Sequence, residues 1–415
     1  MKRVLKTKRG KLYWGDCRKV MKKFSENSVD TIITDPPYEL GFMGKKWDSS
    51  GIAFQTKIWK EALRVAKPGA FLLAFGGTRT HHRLMCAIED AGWKIRDCMM
   101  WVYGSGFPKS HNISKAIDKT KGKYIEGDES PNSRSRVKGD NKNYNHSKKI
   151  MLSNPQTLEA LEWDGWGTAL KPAYEPIIIA MKPIDGTFAN NALTHGVAGL
   201  NIDRCRIITK EKLTRKLGKS TESDSGWKSS NRSEIAGKDG GRWPANVILD
   251  EEAGRVLNSQ SGILKSGFLS KGHPYGLGNG QNVYGKLTGH TQTDTYGDEG
   301  GASRFFYCAK ASKSERGKNN KHPTVKPIEL MKYLCRLTKT PKGGTVLDPF
   351  VGSGTTILAS IRTGRKWIGI ERDKGYCKIA LKRIKHLIHK RKRKKEEKKS
   401  LQKLKKEYKN YVLFK

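Results

Sequence analysis

Two short apolar segments near opposite ends of the 415-residue chain constrain its fold most strongly, because each stops abruptly at an Asp-Pro dipeptide. Residues 29–34 (VDTIIT) precede the first dipeptide, at 35–36, and residues 345–347 (TVL) precede the second, at 348–349. Apolar runs of this length are typical of buried strands, and proline interrupts a strand because it has no amide hydrogen to donate. Both segments therefore predict strands that end at a turn.

Helical and strand periodicities accompany each of these segments. The pattern predicts helices over residues 58–66, 83–91, 327–339, 355–362 and 375–386, and strands over residues 70–75, 93–103 and 366–370. Alternating strands and helices form parallel strand–helix–strand units with right-handed crossovers. Neither end supplies enough strands for a doubly wound α/β sheet, so we expect both ends to contribute to one mostly parallel sheet.

The middle of the chain has a different composition. Residues 109–153 are polar and nearly free of aliphatic side chains, which is typical of a flexible insertion. Residues 185–303 are rich in Gly, Ser, Asn and Lys, with apolar islands such as 243–250, and we expect an excursion from the sheet there. These boundaries divide the chain into the predicted regions 1–108, 109–153, 154–184, 185–303, 304–389 and 390–415.

The charge of the chain favours a polyanionic partner. The sequence has 81 Lys and Arg against 40 Asp and Glu, a formal net charge of +41. A protein this basic is attracted to nucleic acid by phosphate charge and counterion release. Residues 381–410 alone hold 15 Lys or Arg and 3 Glu. Two interpretations of this basic tail stay open, a solvated helix or a non-specific contact with nucleic acid.

Other features argue against membrane, secreted and zinc-dependent classes of protein. No apolar run approaches the ~20 residues that a spanning helix needs, and no apolar stretch follows the opening MKRVLKTKRGK as in a secretory signal. The seven cysteines are an odd number and form no C-x-x-C pair. We therefore expect a cytoplasmic protein with no membrane association, no structural zinc and no catalytic metal.

The segment DPFVGSGTT at residues 348–356 predicts a strand, a glycine-containing turn and a helix N-terminus, an arrangement that lets backbone approach a ligand closely. It is not a phosphate-binding P-loop, since Gly354 stands where that motif needs Lys. It is not a nicotinamide fingerprint, since Ile357 stands where a third glycine is required. Glu371, at the end of the next predicted strand, is placed like the acidic residue that binds ribose hydroxyls in dinucleotide folds.

The segment DPPY at residues 35–38 has side chains suited to an amine. The Asp35 carboxylate and the Pro36 carbonyl, whose direction is fixed by two locked proline φ angles, can each accept one hydrogen of an NH₂ group. Tyr38 offers a flat face on which a base can stack. Two such acceptors would favour a pyramidal nitrogen and aim its lone pair at an electrophile.

DPPY followed far downstream by DPFVGSGTT resembles the S-adenosylmethionine-dependent amino methyltransferases of DNA, in the order of their beta group. YWGDC ahead of the DPPY strand and KHPTVKP at 321–327 resemble family segments that contact the adenine and the methionine end of the cofactor. GSGFPKS, WGTALKPAYEP, RWPANVILD and SRFFYCAKASKSERG resemble segments of phage and prophage members. The resemblance implies a Rossmann-like methyltransferase fold and S-adenosylmethionine as cofactor.

The resemblance also implies a role for individual residues. Those expected to hold the target amine, shape the turn and stack on the base are Asp35, Pro36, Pro37 and Tyr38. Those expected at the cofactor are Asp16, Cys17, Thr324, Lys326, Asp348, Pro349, Phe350, Gly352, Ser353, Gly354, Thr355 and Glu371.

The activity implied is methyl transfer to the exocyclic amine of a base rotated out of double-stranded DNA, in a bacterial or phage-infected cell. Asp at the first position of DPPY is usual in N6-adenine enzymes and Ser is commoner in N4-cytosine enzymes, so adenine is favoured and cytosine stays open. A catalytically inactive basic DNA-binding protein on the same scaffold is a further alternative. Residues 185–303 are the region expected to recognise the DNA target, and no obligate protein partner is evident.

Overall fold

The computed structural model divides the chain into two compact units, Met1–Gly104 with Tyr174–Lys415, and Ser105–Ala173. The residues that it describes are 2–41, 46–106, 110–123, 125–126, 149–150, 154–209, 215–216, 235–236, 240–265, 274–275, 289–290, 299–309 and 325–413.

Ten strands of the first unit form one sheet in the described part of the chain. Their bounds are β1 Lys2–Thr7, β2 Gly10–Trp14, β3 Val29–Thr34, β4 Ala66–Phe75, β5 Lys94–Val102, β6 Tyr174–Met181, β7 Val247–Asp250, β8 Tyr307–Ala309, β9 Thr345–Asp348 and β10 Lys366–Glu371. Their order across the sheet is β1-β2-β10-β9-β3-β4-β6-β5-β7-β8. The two C-terminal strands β9 and β10 therefore lie between the N-terminal strands β2 and β3, which confirms that both ends of the chain build one sheet.

The sheet is mostly parallel. Strands β2, β10, β9, β3 and β4 run in one direction, as do β5, β7 and β8, whereas β1 and β6 are reversed. Carboxyl ends of parallel neighbours share an edge of the sheet, and ligands of open α/β folds bind at that edge. Because β6 is reversed, its first residues arrive at the same edge.

Helices cover both faces of this sheet. Those of the first unit are α1 Cys17–Met21, α2 Thr56–Val65, α3 His81–Asp90, α6 Phe188–His195, α7 Glu251–Ser261, α8 Ile328–Leu337, α9 Thr355–Arg362 and α10 Lys374–Leu413, with 3-10 turns at Lys46–Ser49, Ile52–Phe54 and Ala302–Phe305. The neighbours Leu72 and Leu73 on β4 are both fully buried and belong to different apolar clusters. Burial on both faces explains why the central strands are continuous apolar runs.

The second unit contains two helices within its described residues, α4 Ile113–Thr120 and α5 Leu158–Glu162. Each begins at a side-chain cap, because Asn112 accepts a hydrogen bond from the Lys115 amide and Thr157 accepts one from the Ala160 amide. Among the described residues of the chain, four antiparallel pairs of two-residue strands lie outside the large sheet, at 125–126 with 149–150, 215–216 with 235–236, 264–265 with 299–300, and 274–275 with 289–290.

The structure differs from the expected boundaries in three places. Strand β7, inside the region expected to leave the sheet, pairs with β5, because VILD is an apolar run that can be buried there. The first unit resumes at Tyr174 rather than at residue 154. Helix α10 continues to Leu413 instead of ending near residue 386, since its later residues are mostly Lys, Arg, Glu and Gln, which favour helix, with no Gly or Pro.

Candidate active site

Four acidic residues lie where neighbouring strands end at the carboxyl edge of the sheet. Asp16 follows β2, Glu371 ends β10, Asp348 ends β9 and Asp35 follows β3, and these four strands are adjacent in the sheet. The strand pairs β10–β2, β9–β10 and β9–β3 are all parallel. The DPPY and glycine-turn segments, which are about 300 residues apart in the sequence, are therefore neighbours in space.

The two motifs also share a hydrogen bond. Thr34, the residue before Asp35, donates its hydroxyl to Asp348 Oδ1 at 2.7 Å. The same oxygen accepts the Phe350 amide at 3.0 Å, so the Asp348 carboxylate joins the end of β3 to the start of the glycine turn. Burial raises the pKa of Asp348 to about 6.

The backbone of the DPPY loop is hydrogen-bonded to a buried carboxylate that was not predicted from the sequence. Asp48 accepts the amides of Tyr38 at 2.8 Å, Glu39 at 3.1 Å and Leu40 at 3.2 Å. The Thr80 hydroxyl donates to the Tyr38 carbonyl at 2.7 Å. These bonds fix the backbone that follows the two prolines.

The catalytic candidate Asp35 belongs to a network of four side chains, with Lys326, Glu175 and Tyr38. Lys326 Nζ donates to Asp35 Oδ2 at 2.8 Å, and it lies 3.1 Å from both Glu175 Oε2 and the Tyr38 hydroxyl. The Tyr38 hydroxyl in turn donates to Glu175 Oε2 at 2.8 Å. The ammonium also lies 5.2 Å from the centre of the Tyr38 ring and 5.0 Å from that of Phe75. Its three donors are thus all directed at partners in the network.

Lys326 is buried and its three partners are half-buried, and the charges in this network determine which of its groups hold protons. Lys326 is 8% exposed. Burial alone would lower its pKa, but the Asp35 and Glu175 carboxylates outweigh that effect and raise it. Burial, together with the same two carboxylates, raises the pKa of Tyr38 well above its ordinary value. Lysine is therefore cationic and tyrosine neutral at physiological pH, so the network carries two carboxylates and one cation.

One oxygen of this network has no partner among the described residues. Asp35 Oδ1 is buried and accepts no hydrogen bond there, whereas Oδ2 is bonded to Lys326. An unsatisfied buried acceptor is costly, typically about 1–3 kcal/mol, and is uncommon in native structures. This oxygen is suited to accept a donor from a bound molecule.

The glycine turn is anchored to Glu371. Glu371 Oε2 accepts the Gly352 amide at 2.8 Å and Oε1 accepts the Asp373 amide at 2.7 Å, while burial raises the pKa of this carboxyl to about 7. Gly352 has φ 51° and Gly354 has φ 90°, a backbone region that side chains rarely adopt. A Cβ on Gly354 would also lie 3.1 Å from the Ala380 Cβ, so this glycine allows close packing of α10.

Several other expected cofactor residues lie at or near this turn. Arg383 of α10 donates to the Ser353 carbonyl at 2.7 Å and lies 3.2 Å from the Thr355 hydroxyl. Phe350 is half-buried, and its ring centre lies 6.4 Å from that of Trp59. Pro36 and Pro349 are buried and Pro37 is half-buried.

The remaining expected residues are placed less directly. Asp16 caps α1, and both of its carboxylate oxygens accept hydrogen bonds from Arg18. Cys17 is buried in the apolar core, and burial raises the pKa of its thiol to about 12, so its side chain is not available to a ligand. Thr324 lies outside the described residues.

Sequence reasoning missed Glu175 and did not connect Lys326 with Asp35. Glu175 is the second residue of β6, and it pairs with Trp101 of β5. The available signal is an acidic residue immediately ahead of the buried apolar run at 177–181. That signal shows a strand end but not which other strand ends lie beside it.

A comparison with protein families matches residues 29–382 to the N6/N4 amino-methyltransferases, described as DNA methylase. The chain belongs to this DNA methylase family. Members of the family act on exocyclic amines in DNA, either N6 of adenine or N4 of cytosine. The match spans both the DPPY segment and the glycine turn.

The chain is also similar to individual proteins. Type II methyltransferase M.HindIII of Haemophilus influenzae is 22% identical over 417 residues, which cover 90% of this chain and 94% of that protein. DNA adenine methyltransferase YhdJ of Escherichia coli is 48% identical over 63 residues, which cover 15% of this chain and 21% of that protein. Among solved structures, the M1.HpyAVI–SAM complex is 16% identical with a TM-score of 0.37, covering 90% of this chain and 99% of that one.

The DNA methylase family uses S-adenosylmethionine. The residues at this edge of the sheet fit that molecule, whose hydroxyls and amino groups are hydrogen-bond donors and whose sulfur is cationic. Asp348 and Glu371 are carboxylates that form no ion pair in the described part of the chain, and burial disfavours their charged forms. A cationic, hydroxyl-bearing ligand would compensate them. The described residues contain no group of three or more His, Cys, Asp or Glu arranged to hold a metal ion.

The helices give one further negative finding. None of those in the described ranges combines the length and apolar character that crossing a lipid bilayer requires.

Proposed function

We propose that this protein methylates N6 of adenine in a base rotated out of duplex DNA. The observation that carries the proposal is the buried oxygen Asp35 Oδ1, which has no hydrogen-bond partner in the described part of the chain and lies next to the carboxyl ends of β3 and β9. An exocyclic amine is a hydrogen-bond donor and fits that acceptor. We assign the Asp35 carboxylate and the Pro36 carbonyl as the two acceptors, one for each hydrogen of the amine.

The chemical difficulty is that the lone pair of the amine is delocalised into the base. Two acceptors on its two hydrogens favour a pyramidal nitrogen, and this gain is realised mainly in the transition state. As the new carbon–nitrogen bond forms and the donor sulfur–carbon bond breaks, the nitrogen becomes positive and releases one proton. Asp35 Oδ1 is the group positioned to accept that proton before it passes to water.

The charge of the network supports this step. Two carboxylates and one ammonium leave one net negative charge close to the reacting nitrogen. Fixed charge in a water-poor site stabilises charge that develops in the transition state far more than it would in bulk water. The positive charge that develops on the amine is therefore favoured.

When bound, S-adenosylmethionine supplies an electrophilic methyl group on a cationic sulfur. We assign Glu371 to its ribose hydroxyls and the turn at Gly352 to its close backbone contact. Asp348 organises the turn, because its Oδ1 joins Thr34 to Phe350. We also propose that Asp16 contacts the adenine of the cofactor and that Thr324 contacts its methionine end.

The DNA substrate is supported by the charge of the protein and by the family. The net charge of +41 suits a phosphate backbone, and extrusion of a base costs a few kcal/mol that contacts to DNA must offset. Target recognition is proposed for the parts of residues 185–303 that lie outside strand β7.

Adenine is favoured over cytosine by two observations. Asp, not Ser, occupies position 35, and one relative that matches over 63 residues is named a DNA adenine methyltransferase. N4 of cytosine is the alternative within the same family, because it presents an equivalent amine to the same acceptors.

The test is nucleoside analysis of duplex DNA after incubation with the purified protein and methyl-labelled S-adenosylmethionine. We expect label in N6-methyladenine, at least about 100-fold less with Asp35→Ala, and no comparable loss with Glu26→Ala, an exposed carboxylate before β3. Cofactor affinity of Asp35→Ala should change by less than about threefold. Label in N4-methylcytosine would refute the adenine assignment, and no methyl transfer to DNA would refute the proposed activity.

A further inference from the structure

Glu175 is a half-buried carboxylate at the carboxyl edge of the sheet, and the sequence alone indicated no role for it. It enters the site because β6 runs against its neighbours, which places the second residue of β6 at the edge where β3 and β4 end. Its side chain is 21% exposed, and its Oε2 atom faces both the Lys326 ammonium and the Tyr38 hydroxyl. A residue at the end of a strand does not need these two side-chain contacts to keep the strand in place.

The geometry around Lys326 shows what Glu175 does to Asp35. An ammonium has three donors, and here they are directed at Asp35 Oδ2, Glu175 Oε2 and the Tyr38 hydroxyl oxygen. With Glu175 and Tyr38 fixing two of these directions, the third is aimed at one oxygen of Asp35 only. The other oxygen, Oδ1, has no partner within the ranges that the structure describes.

A flexible lysine without these two partners would behave differently. A four-carbon side chain can rotate its ammonium to bridge both oxygens of one carboxylate, and that geometry would occupy the acceptor needed for the amine. The Tyr38 hydroxyl cannot replace Glu175 as anchor, because it donates its own hydrogen to Glu175 at 2.8 Å.

We propose that Glu175 is a positioning residue for methyl transfer: with Tyr38 it holds Lys326 on Asp35 Oδ2, so that Asp35 Oδ1 stays free for the target amine. It also supplies the second negative charge of the network. This inference rests on the proposed function, because it concerns the same amine acceptor. Glu175 acts through Lys326 and touches no reacting atom in this scheme.

The first measurement is the kinetics of Glu175→Gln, which keeps the size of the side chain and an acceptor for Tyr38 but removes the charge. A misplacement of about 1 Å at a reacting group can slow a reaction about 100-fold, so we expect the single-turnover rate to fall about 10- to 100-fold. The KM for DNA and the dissociation constant of S-adenosylhomocysteine should stay within about threefold of the wild type. Glu329→Gln is the matched control, since Glu329 pairs with Lys332 at 2.7 Å and not with the network.

The decisive measurement is the same substitution in the Lys326→Met background. If Glu175 acts through Lys326, then Glu175→Gln should change the rate of Lys326→Met by less than about threefold, or should raise it by removing an uncompensated carboxylate. Equal losses in both backgrounds would mean that Glu175 acts independently of Lys326 and would overturn the proposal. An unchanged single-turnover rate for Glu175→Gln in the wild-type background would also overturn it.

Further measurements distinguish a failure of the role proposed for Glu175 from a failure of the proposed function. Tyr38→Phe keeps the ring and removes the hydroxyl, so it provides a second route to the same loss of lysine orientation if Glu175→Gln fails to fold. Wild-type methylation of cytosine instead of adenine would refute the target assignment but leave the kinetic test of Glu175 intact. Absence of any wild-type methyl transfer would refute the proposed function itself.

Discussion

Two regions of the molecule concentrate charge in opposite ways. At the carboxyl edge of the sheet, Lys326 is 8% exposed and bonded to Asp35 and Glu175. Along α10, residues 389–400 contain eight Lys or Arg, two Glu and no apolar side chain, and the side chains described there are exposed. Arg393 forms an ion pair with Glu397 at 3.3 Å in this segment.

The difference shows that position, and not the number of charges, sets the effect of each group. A buried charge must be matched because the loss of its hydration costs several kcal/mol, and removal of one partner leaves the other uncompensated. An exposed charge keeps its water, and an exposed ion pair contributes about 0–1 kcal/mol. Single substitutions should therefore have large effects in the network and small ones on α10, where the charges act together.

The largest effect on stability is expected for Lys326→Met. The substitution leaves Asp35 and Glu175 together with no cation, and loss of one partner from a buried pair typically lowers the free energy of unfolding by about 3–5 kcal/mol. Urea unfolding at pH 7, followed by tryptophan fluorescence, measures this change. Lys332→Met, which removes a partly exposed partner of Glu329, should cost less than about 1 kcal/mol. Similar losses in the two variants would contradict the contrast between buried and exposed charge.

Local signals were enough to predict much of the framework around this network. Strand β3 and helix α9 have the predicted bounds, because an apolar run bounded by Asp-Pro and a glycine turn followed by Thr-Thr are strong signals over a few residues. That both ends of the chain contribute to one sheet followed from counting strands at the two ends, whereas the place of β9 beside β3 is a finding of the structure. The acidic residues that end the strands were likewise visible in the sequence.

The network itself could not be predicted, because it depends on strand order. Glu175 reaches Lys326 only because β6 lies between β4 and β5 and runs against both, and no local pattern fixes that arrangement. The role of Lys326 at the methionine end of the cofactor stays a prediction, and no local pattern indicated that its ammonium pairs with Asp35. The length of α10 was underestimated because the apolar periodicity ends near Ile388 while helix-forming polar residues continue.

Removal of the basic end of α10 should produce a collective effect. We expect deletion of the residues after Arg391 to weaken DNA binding about tenfold or more at low salt, with turnover at saturating DNA nearly unchanged. The slope of log affinity against log salt should fall by about 0.9 for each phosphate that the shortened protein no longer neutralises. Arg391 is kept because its guanidinium donates to the Ile361 carbonyl of α9.

The double variant Glu396→Gln, Glu397→Gln is the matched control, because it makes the same segment of α10 more positive instead of less. It removes two negative charges from the same segment and should steepen the salt dependence slightly. Fluorescence anisotropy of labelled duplex DNA between 50 and 200 mM salt, about the range over which such contacts act, measures both variants. An unchanged slope in the truncated protein would mean that this end of α10 does not touch DNA.

A third arrangement predicts the smallest effect: two buried carboxyl groups that form no ion pair with any residue the structure describes. Burial raises the pKa of Glu371 to about 7 and that of Asp348 to about 6, so both hold protons more tightly in the folded than in the unfolded protein. Their contribution to stability is therefore present at low pH and is lost as the pH rises from about 4 to about 7. Ligand binding should show the opposite trend, because in the proposed role of Glu371 its ionised carboxylate accepts hydrogen bonds from the ribose hydroxyls.

Calorimetric titration with S-adenosylhomocysteine tests this sign. From pH 6 to pH 8, the ionised fraction of a carboxyl with a pKa near 7 rises about tenfold, and the affinity should rise by up to that factor. Glu371→Gln should bind weakly at both pH values and lose the dependence, since an amide does not titrate. An affinity of the wild type that is constant over this range would show that Glu371 is already ionised at pH 6 or does not contact the ligand, and the contrast with the cation-matched network would then fail.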